Sequence, residues 1–191
     1  TTKKMDIISK QIYIQSKSYD EVIELAKNKT EMLACLPSIQ PVANKDLKRM
    51  VSGYGMRIHP VYKTRKMHEG MDFTASIGTP IYATANGTII KSTYARGGYG
   101  KHVIIKHGEF GYETLYAHMN RINVKKNQIV KRGEIIGYVG NTGLSVGPHL
   151  HYEVHKDGHK LNPSYFYHND LTLSEYNKLI EMSSKENQSF D

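Results

Sequence analysis

Gly147-Pro148-His149-Leu150-His151, continuing through His155 into Lys156-Asp157-Gly158-His159, reads as a β-strand that ends in a hairpin turn. Side chains two apart on a strand point to the same face, so His149 and His151 share one side while Leu150 packs on the other. The same texture extends backwards along the chain. Pro80–Ala85, Gly87–Ile90, His102–Lys106, Glu113–His118 and Glu134–Val139 are short, β-branched or aromatic runs bounded by Gly, Asn or Pro. Asn86-Gly87 reads as a further hairpin turn. Short strands with frequent turns predict a mainly β fold, a compact antiparallel sandwich or barrel.

The flanks read differently. Residues 1 to 36 are helical in pattern, with Met5, Ile8 and Ile12 at helical spacing, then Val22, Leu25 and Ala26. Ser18-Tyr19-Asp20-Glu21 matches a capping box and predicts a second helix starting near Tyr19. Pro37 and Pro41 stop it, since the residue before proline avoids the helical region. Asn44–Arg49 reads as a polar connection. Thr172-Leu173-Ser174-Glu175 is another capping box, opening a short C-terminal helix with Leu173, Tyr176, Leu179, Ile180 and Met182 on its apolar face. The expected division is a helical segment and linker over 1–45, the β-domain over 46–165, and a helix and tail over 166–191.

The chain has 191 residues, is 39% hydrophobic and carries a net charge of +8, which suits a folded, polar protein attracted to polyanions. No helix-turn-helix, zinc-finger or RNA-binding signature accompanies the charge, so nucleic acid is not the expected partner. Cys35 is the single cysteine, so an internal disulfide is excluded. It reads as a small apolar packing group. No apolar run is long enough to span a membrane. A chain that opens on Thr1 reads as a fragment, and a membrane anchor ahead of residue 1 is one expectation.

The chemistry-bearing residues are histidines and one carboxylate. His68, Asp72, His149 and His151 form a set that fits one open-sided zinc site, because two imidazoles and a carboxylate suit Zn²⁺ and leave a position for water. Taken singly, His149 and His151 also suit two surface histidines on a half-polar strand, and a His68/Asp72 spacing arises by chance. Of His149 and His151, one should coordinate and the other stay outside, since a fourth protein ligand would close the site. His118, after the run Leu115-Tyr116-Ala117, is a further candidate whose bland reading is a histidine satisfied by backbone. The other histidines, His59, His102, His107, His155, His159 and His168, read mostly as surface or packing residues.

The stretch from about Ser52 to Pro163 resembles the lysostaphin-type or LytM-type zinc endopeptidases, peptidase family M23. The resemblance rests on Arg57-Ile58-His59-Pro60, His68-Glu69-Gly70-Met71-Asp72, Gly78–Tyr82, Gly98-Tyr99-Gly100, Thr114–His118, Gly133–Gly137 and Gly143–Glu153, in the family's order. It implies that His68, Asp72 and His151 bind one Zn²⁺ per chain. It implies that His118 and His149 are the catalytic histidines, suited to moving protons near neutral pH. It places Arg57 near the substrate groove, with His59 and Tyr62 as further lining residues. Glu69 has no motif support for a chemical role.

The function this implies is hydrolysis of peptide crosslinks in bacterial peptidoglycan, of the D-alanyl–diaminopimelate type, in the cell envelope, periplasmic or membrane-anchored facing the periplasm. The alternative is a non-hydrolytic peptidoglycan-binding or amidase-activating module. The N-terminal segment is expected either to regulate, by covering the cleft or placing Asn44 or Gln40 of the linker over the site, or instead to form a coiled-coil stalk, a dimer contact or a contact with a regulatory partner.

Overall fold

The computed structural model describes residues 2–58, 64–169 and 172–177. Thr1–Ala34 and Cys35–Asp191 are two separate compact units. The first is a single α-helix, α1 (Thr2–Cys35). It runs through Ser18 without a break, which corrects the expected start of a second helix at Tyr19. A capping-box sequence caps only where the chain enters from a non-helical conformation, and no Pro or Gly supplies that here. The helix ends one residue before Leu36-Pro37, as the proline requires. Met5, Ile8, Ile12, Val22 and Leu25 are all exposed on it. Among the described residues no helix is long and apolar enough to cross a membrane.

Among the described residues the second unit has thirteen strands: β1 (Leu47–Ser52), β2 (Gly55–Ile58), β3 (Arg65–His68), β4 (Met71–Ala75), β5 (Pro80–Tyr82), β6 (Gly87–Ala95), β7 (Gly100–His107), β8 (Tyr112–Ala117), β9 (Met119–Ile122), β10 (Ile129–Val130), β11 (Ile135–Val139), β12 (His149–Lys156) and β13 (His159–Leu161). An eight-stranded sheet runs β1-β4-β12-β8-β7-β6-β10, with β13 paired to β12. A second sheet runs β5-β11-β9, and β2 pairs with β3. Every pairing is antiparallel. The mainly β, antiparallel architecture expected from the strand texture is therefore present.

Two local expectations are corrected. Asn86-Gly87 is no hairpin: β5 pairs with β11, and β6 pairs with β7 and β10, so this dipeptide carries the chain from one sheet to the other. Gly87 is needed there for close approach, since a Cβ would sit 2.5 Å from the Lys106 carbonyl oxygen. Leu47–Arg49, expected in a polar connection, joins the sheet as part of β1, because pairing with β4 supplies a ladder that the polar sequence did not signal. The stretch from Cys35 onward falls in the same compact unit as the strands. Ser38, Gln40 and Val42 are buried, Ser38 N–H donates to the Thr84 carbonyl and Tyr82 N–H to the Pro41 carbonyl.

Lys156-Asp157-Gly158-His159 is a two-residue hairpin as expected, with Asp157 and Gly158 at φ 50° and 80° and Lys156 opposite His159. The Thr172 capping box also forms: Thr172 N–H donates to Glu175 Oε2 at 2.8 Å and Glu175 N–H to Thr172 Oγ1 at 3.3 Å. Leu179, Ile180 and Met182 lie outside the described residues.

The alternation of β12 organises the unit. Leu150, Tyr152 and Val154 enter the hydrophobic core with Phe73, Tyr116, Ile105 and Tyr167. His149, His151 and Glu153 point to the other face, and they too are buried. That second buried face holds the site.

Candidate active site

Three strands and one turn bring the histidines together. β12 lies between β4 and β8, with His151 opposite both Asp72 and Ala117. His118 follows the end of β8, so it lies beside β12. His68 ends β3 and Glu69-Gly70 turn the chain into β4. That turn passes so close to β12 that a Cβ on Gly70 would meet the Tyr152 carbonyl oxygen at 2.5 Å and the His151 ring at 2.8 Å. Only glycine permits the approach that sets His68 against His151.

His68 Nε2, Asp72 Oδ1 and His151 Nδ1 are mutually 3.0–3.1 Å apart, and all three residues are buried. The remaining nitrogens are committed elsewhere. His68 Nδ1 is 2.8 Å from the Gly53 carbonyl oxygen and His151 Nε2 is 3.0 Å from Glu153 Oε1. Each of those nitrogens donates to its oxygen, so in the neutral rings the nitrogen that meets Asp72 presents a lone pair. Three lone-pair-bearing atoms thus converge on one point, an arrangement that repels itself without a cation. Atoms bound at about 2.0–2.1 Å to a tetrahedral ion lie about 3.3 Å apart, close to the spacing found. The donor set of two imidazoles and one carboxylate fits zinc.

His118 and His149 flank this cluster, with ring centroids 4.7 Å apart. His149 Nε2 is 3.8 Å from Asp72 Oδ1, outside the tight group of three. Both rings are oriented by backbone: His118 Nδ1 is 2.7 Å from the Thr142 carbonyl oxygen and His149 Nδ1 is 2.8 Å from that of Gly147. In each, Nε2 is then the basic nitrogen. His118 sits at φ 58°, a left-handed conformation uncommon outside glycine, and its N–H donates to the Tyr99 carbonyl at 2.9 Å.

A cleft opens over the cluster, lined among others by Arg57, Lys66, Glu69, Tyr99, His118 and Leu144. Arg57, 7% exposed, donates to the carbonyls of Met56 and Tyr54 from the cleft wall. His59 and Tyr62 lie outside the described residues. Gln40 and Asn44 are not among the cleft-lining residues: Gln40 is buried, and Asn44 Nδ2 contacts Glu175 at 3.5 Å.

Sequence reasoning missed Glu153, Tyr99 and Lys160. Glu153 accepts from His151, His155 and Tyr99 and is 3.2 Å from Lys160 Nζ. Burial works against its charge, but the bonds from His151 and His155 and the positive charge of Lys160 outweigh it and hold the carboxyl well below the usual range. Strand periodicity alone places Glu153 on the face of His149 and His151, which was the available signal. His155, expected as a surface or packing residue, is bound to Glu153 at 2.6 Å. His102 and His107 are buried packing residues, as expected.

Comparison with known proteins agrees with this geometry. The model of peptidase family M23 matches residues 66–163. A DD-carboxypeptidase/endopeptidase, Mpg, of Neisseria meningitidis serogroup B is 45% identical over 115 residues, covering 60% of this chain and 26% of that protein. The peptidoglycan DD-endopeptidase ShyA of Vibrio cholerae is 45% identical over 109 residues, covering 56% of this chain and 24% of that protein. The chain thus spans about a quarter of the length of these curated relatives. The crystal structure of a zinc-containing peptidase from Vibrio cholerae superposes with a TM-score of 0.60 at 36% identity, over 65% of this chain and 38% of the other. With the family's model matched across the segment that carries all five site residues from His68 to His151, this chain belongs to peptidase family M23.

Proposed function

We propose that this protein is a zinc-dependent endopeptidase that hydrolyses peptide crosslinks of bacterial peptidoglycan, of the D-alanyl–diaminopimelate type, in the cell envelope. The observation that carries the reading is the convergence of three lone-pair-bearing atoms, His68 Nε2, Asp72 Oδ1 and His151 Nδ1, at 3.0–3.1 Å in a buried corner of a cleft. These residues would hold the ion. A bound zinc supplies Lewis-acid polarisation and lowers the pKa of water to about 7.

His118 and His149 do the proton work. Their Nε2 atoms are basic because Nδ1 of each is spent on a backbone carbonyl. One takes a proton as water oxygen bonds to the scissile carbonyl carbon. The protonated ring then donates a hydrogen bond to the developing oxyanion. The proton passes to the amide nitrogen as the C–N bond breaks, leaving a carboxylate and an amine. Arg57 and Lys66 make one wall of the cleft cationic, which suits the carboxylates of a diaminopimelate stem peptide. His59 and Tyr62 are assigned to the same groove by the family resemblance. The relatives' names, DD-endopeptidase and DD-carboxypeptidase/endopeptidase, support the choice of bond.

The test is digestion of purified diaminopimelate-type sacculi, with and without a zinc chelator, read as muropeptides by mass spectrometry. Chelator-sensitive loss of crosslinked dimers is expected. Intact dimers after incubation with folded, zinc-loaded protein would overturn the assignment.

A further inference from the structure

Glu153 is buried on β12, two residues beyond His151, and gathers donors on both oxygens. Oε1 is 3.0 Å from His151 Nε2, 2.8 Å from Tyr99 Oη and 3.3 Å from Lys160 Nζ. Oε2 is 2.6 Å from His155 Nε2 and 3.2 Å from Lys160 Nζ. With donors facing both of its oxygens, the carboxylate accepts at each. Its contact with His151 therefore places the proton on Nε2 and the lone pair on Nδ1, the atom that meets Asp72 and His68. We propose that Glu153, braced by Tyr99 and Lys160, is a positioning residue that holds His151 in its Nε2–H tautomer and aims Nδ1 at the metal position. The inference rests on the metal-centre reading above.

The brace comes from three directions. Lys160 arrives through the β12–β13 hairpin, opposite His155, and its Nζ also pairs with Glu69, the neighbour of His68. The ends of the cluster, His68 and His151, are thus linked outside the metal position by Glu69, Lys160 and Glu153. Tyr99 packs its ring 5.9 Å from that of His151 and takes the His118 N–H on its carbonyl. One tyrosine therefore touches both the carboxylate that orients a metal ligand and the backbone that sets a proton-transfer histidine. A carboxylate behind a ligating imidazole fixes its orientation and raises its basicity, and losing such a partner costs about 10–100-fold in metal affinity.

The decisive experiment reads the imidazole ¹⁵N signals of zinc-loaded protein, with His151 identified by its loss in His151→Ala. It is paired with zinc affinity from competition against a chromophoric chelator. Wild type should show His151 as a single Nε2–H tautomer. Glu153→Gln keeps the size but turns an amide NH₂ towards donors; it should give a tautomer mixture and bind zinc about 10–100-fold more weakly. A wild-type His151 protonated on Nδ1 would overturn the proposal, and so would a Glu153→Gln protein that keeps both the tautomer and the zinc affinity of wild type. The wild-type tautomer decides even if the variant does not fold. Equal zinc binding by wild type and His151→Ala would instead sink the metal-centre reading, which keeps the two failures apart.

Discussion

His118 Nδ1 lies 2.7 Å from the carbonyl oxygen of Thr142, and that one contact fixes which nitrogen of His118 is the basic one. The donor is Nδ1–H, so Nε2 is basic, in a cleft-lining ring whose centroid is 4.7 Å from that of His149. The residue is held at φ 58°, a strained position for a β-carbon-bearing residue. Asn tolerates this backbone best among alternatives to glycine. His118→Asn therefore removes the imidazole with little disturbance of the turn. Crosslink cleavage should fall about 10²–10⁴-fold, the range for losing a general acid–base group. Zinc content and melting temperature should stay near wild type, because His118 is outside the ligand triangle. A variant that loses zinc together with activity would place His118 among the ligands instead.

Gly70 is the position where the smallest side chain matters most. A methyl group there would lie 2.5 Å from the Tyr152 carbonyl oxygen and 2.8 Å from the His151 ring. The carbonyl belongs to a central strand and cannot retreat, so the β3–β4 turn must lift. Gly70→Ala should lower stability by about 1–3 kcal/mol, as overpacking does, and weaken zinc binding by separating His68 from His151. Denaturant unfolding and a zinc competition titration check the two effects. Unchanged zinc affinity would mean that the turn relaxes without moving His68.

His107 predicts a pH dependence of folding that owes nothing to the active site. It is buried, with Nδ1 2.8 Å from the Asn86 carbonyl oxygen and Nε2 2.8 Å from Thr114 Oγ1. Burial lowers its pKa to about 4, against a partial opposing effect of the Asn86 carbonyl. The native state therefore stays neutral while the unfolded chain takes up a proton near pH 6.5. The contribution is flat above that pH. Between there and about 4 the unfolded state binds more protons, so stability falls as pH falls, by about 1.4 kcal/mol per unit and about 3 kcal/mol in all. His107→Asn should remove this slope from the pH profile of urea unfolding, whatever its offset. A variant with the wild-type slope would assign the dependence to other groups.

What the sequence revealed follows the range of each signal. Period-two alternation needs only neighbours, so His149 and His151 on one face and the Asp157-Gly158 hairpin were legible. Glu153 obeys the same alternation and closes the Gly143–Glu153 run, but the resemblance gives it no role, so its contacts were not legible. Tyr99 and Lys160 reach it from a different hairpin loop and a different strand, and only the assembled sheet brings them together. Asn86-Gly87 misled because glycine serves two needs, a turn or a close approach, and sequence does not say which. Ser18 misled because a cap forms only where something else ends the helix. Gly53 and Thr142, which orient His68 and His118, act through backbone carbonyls and so leave no side-chain trace.

The core carries one polar atom with an opposite expectation. Tyr167 is fully buried against Phe73 and Tyr152, with ring centroids 6.1 and 6.4 Å away. Its hydroxyl has no hydrogen-bond partner among the described residues. The hydroxyls of Tyr116 and Tyr152, nearby in the same cluster, both meet Thr84 Oγ1 at 2.9 Å. A buried hydroxyl without a partner costs about 1–3 kcal/mol of desolvation, whereas a paired one returns most of that. Tyr167→Phe should therefore leave stability unchanged or raise it by about 1 kcal/mol, since the ring packing is kept. Thr84→Val strips a shared partner from two buried tyrosines and should cost about 1–3 kcal/mol. Unfolding free energies of the two variants, measured side by side, give the contrast. A clear loss of stability in Tyr167→Phe would show that its hydroxyl is satisfied in solution by ordered water.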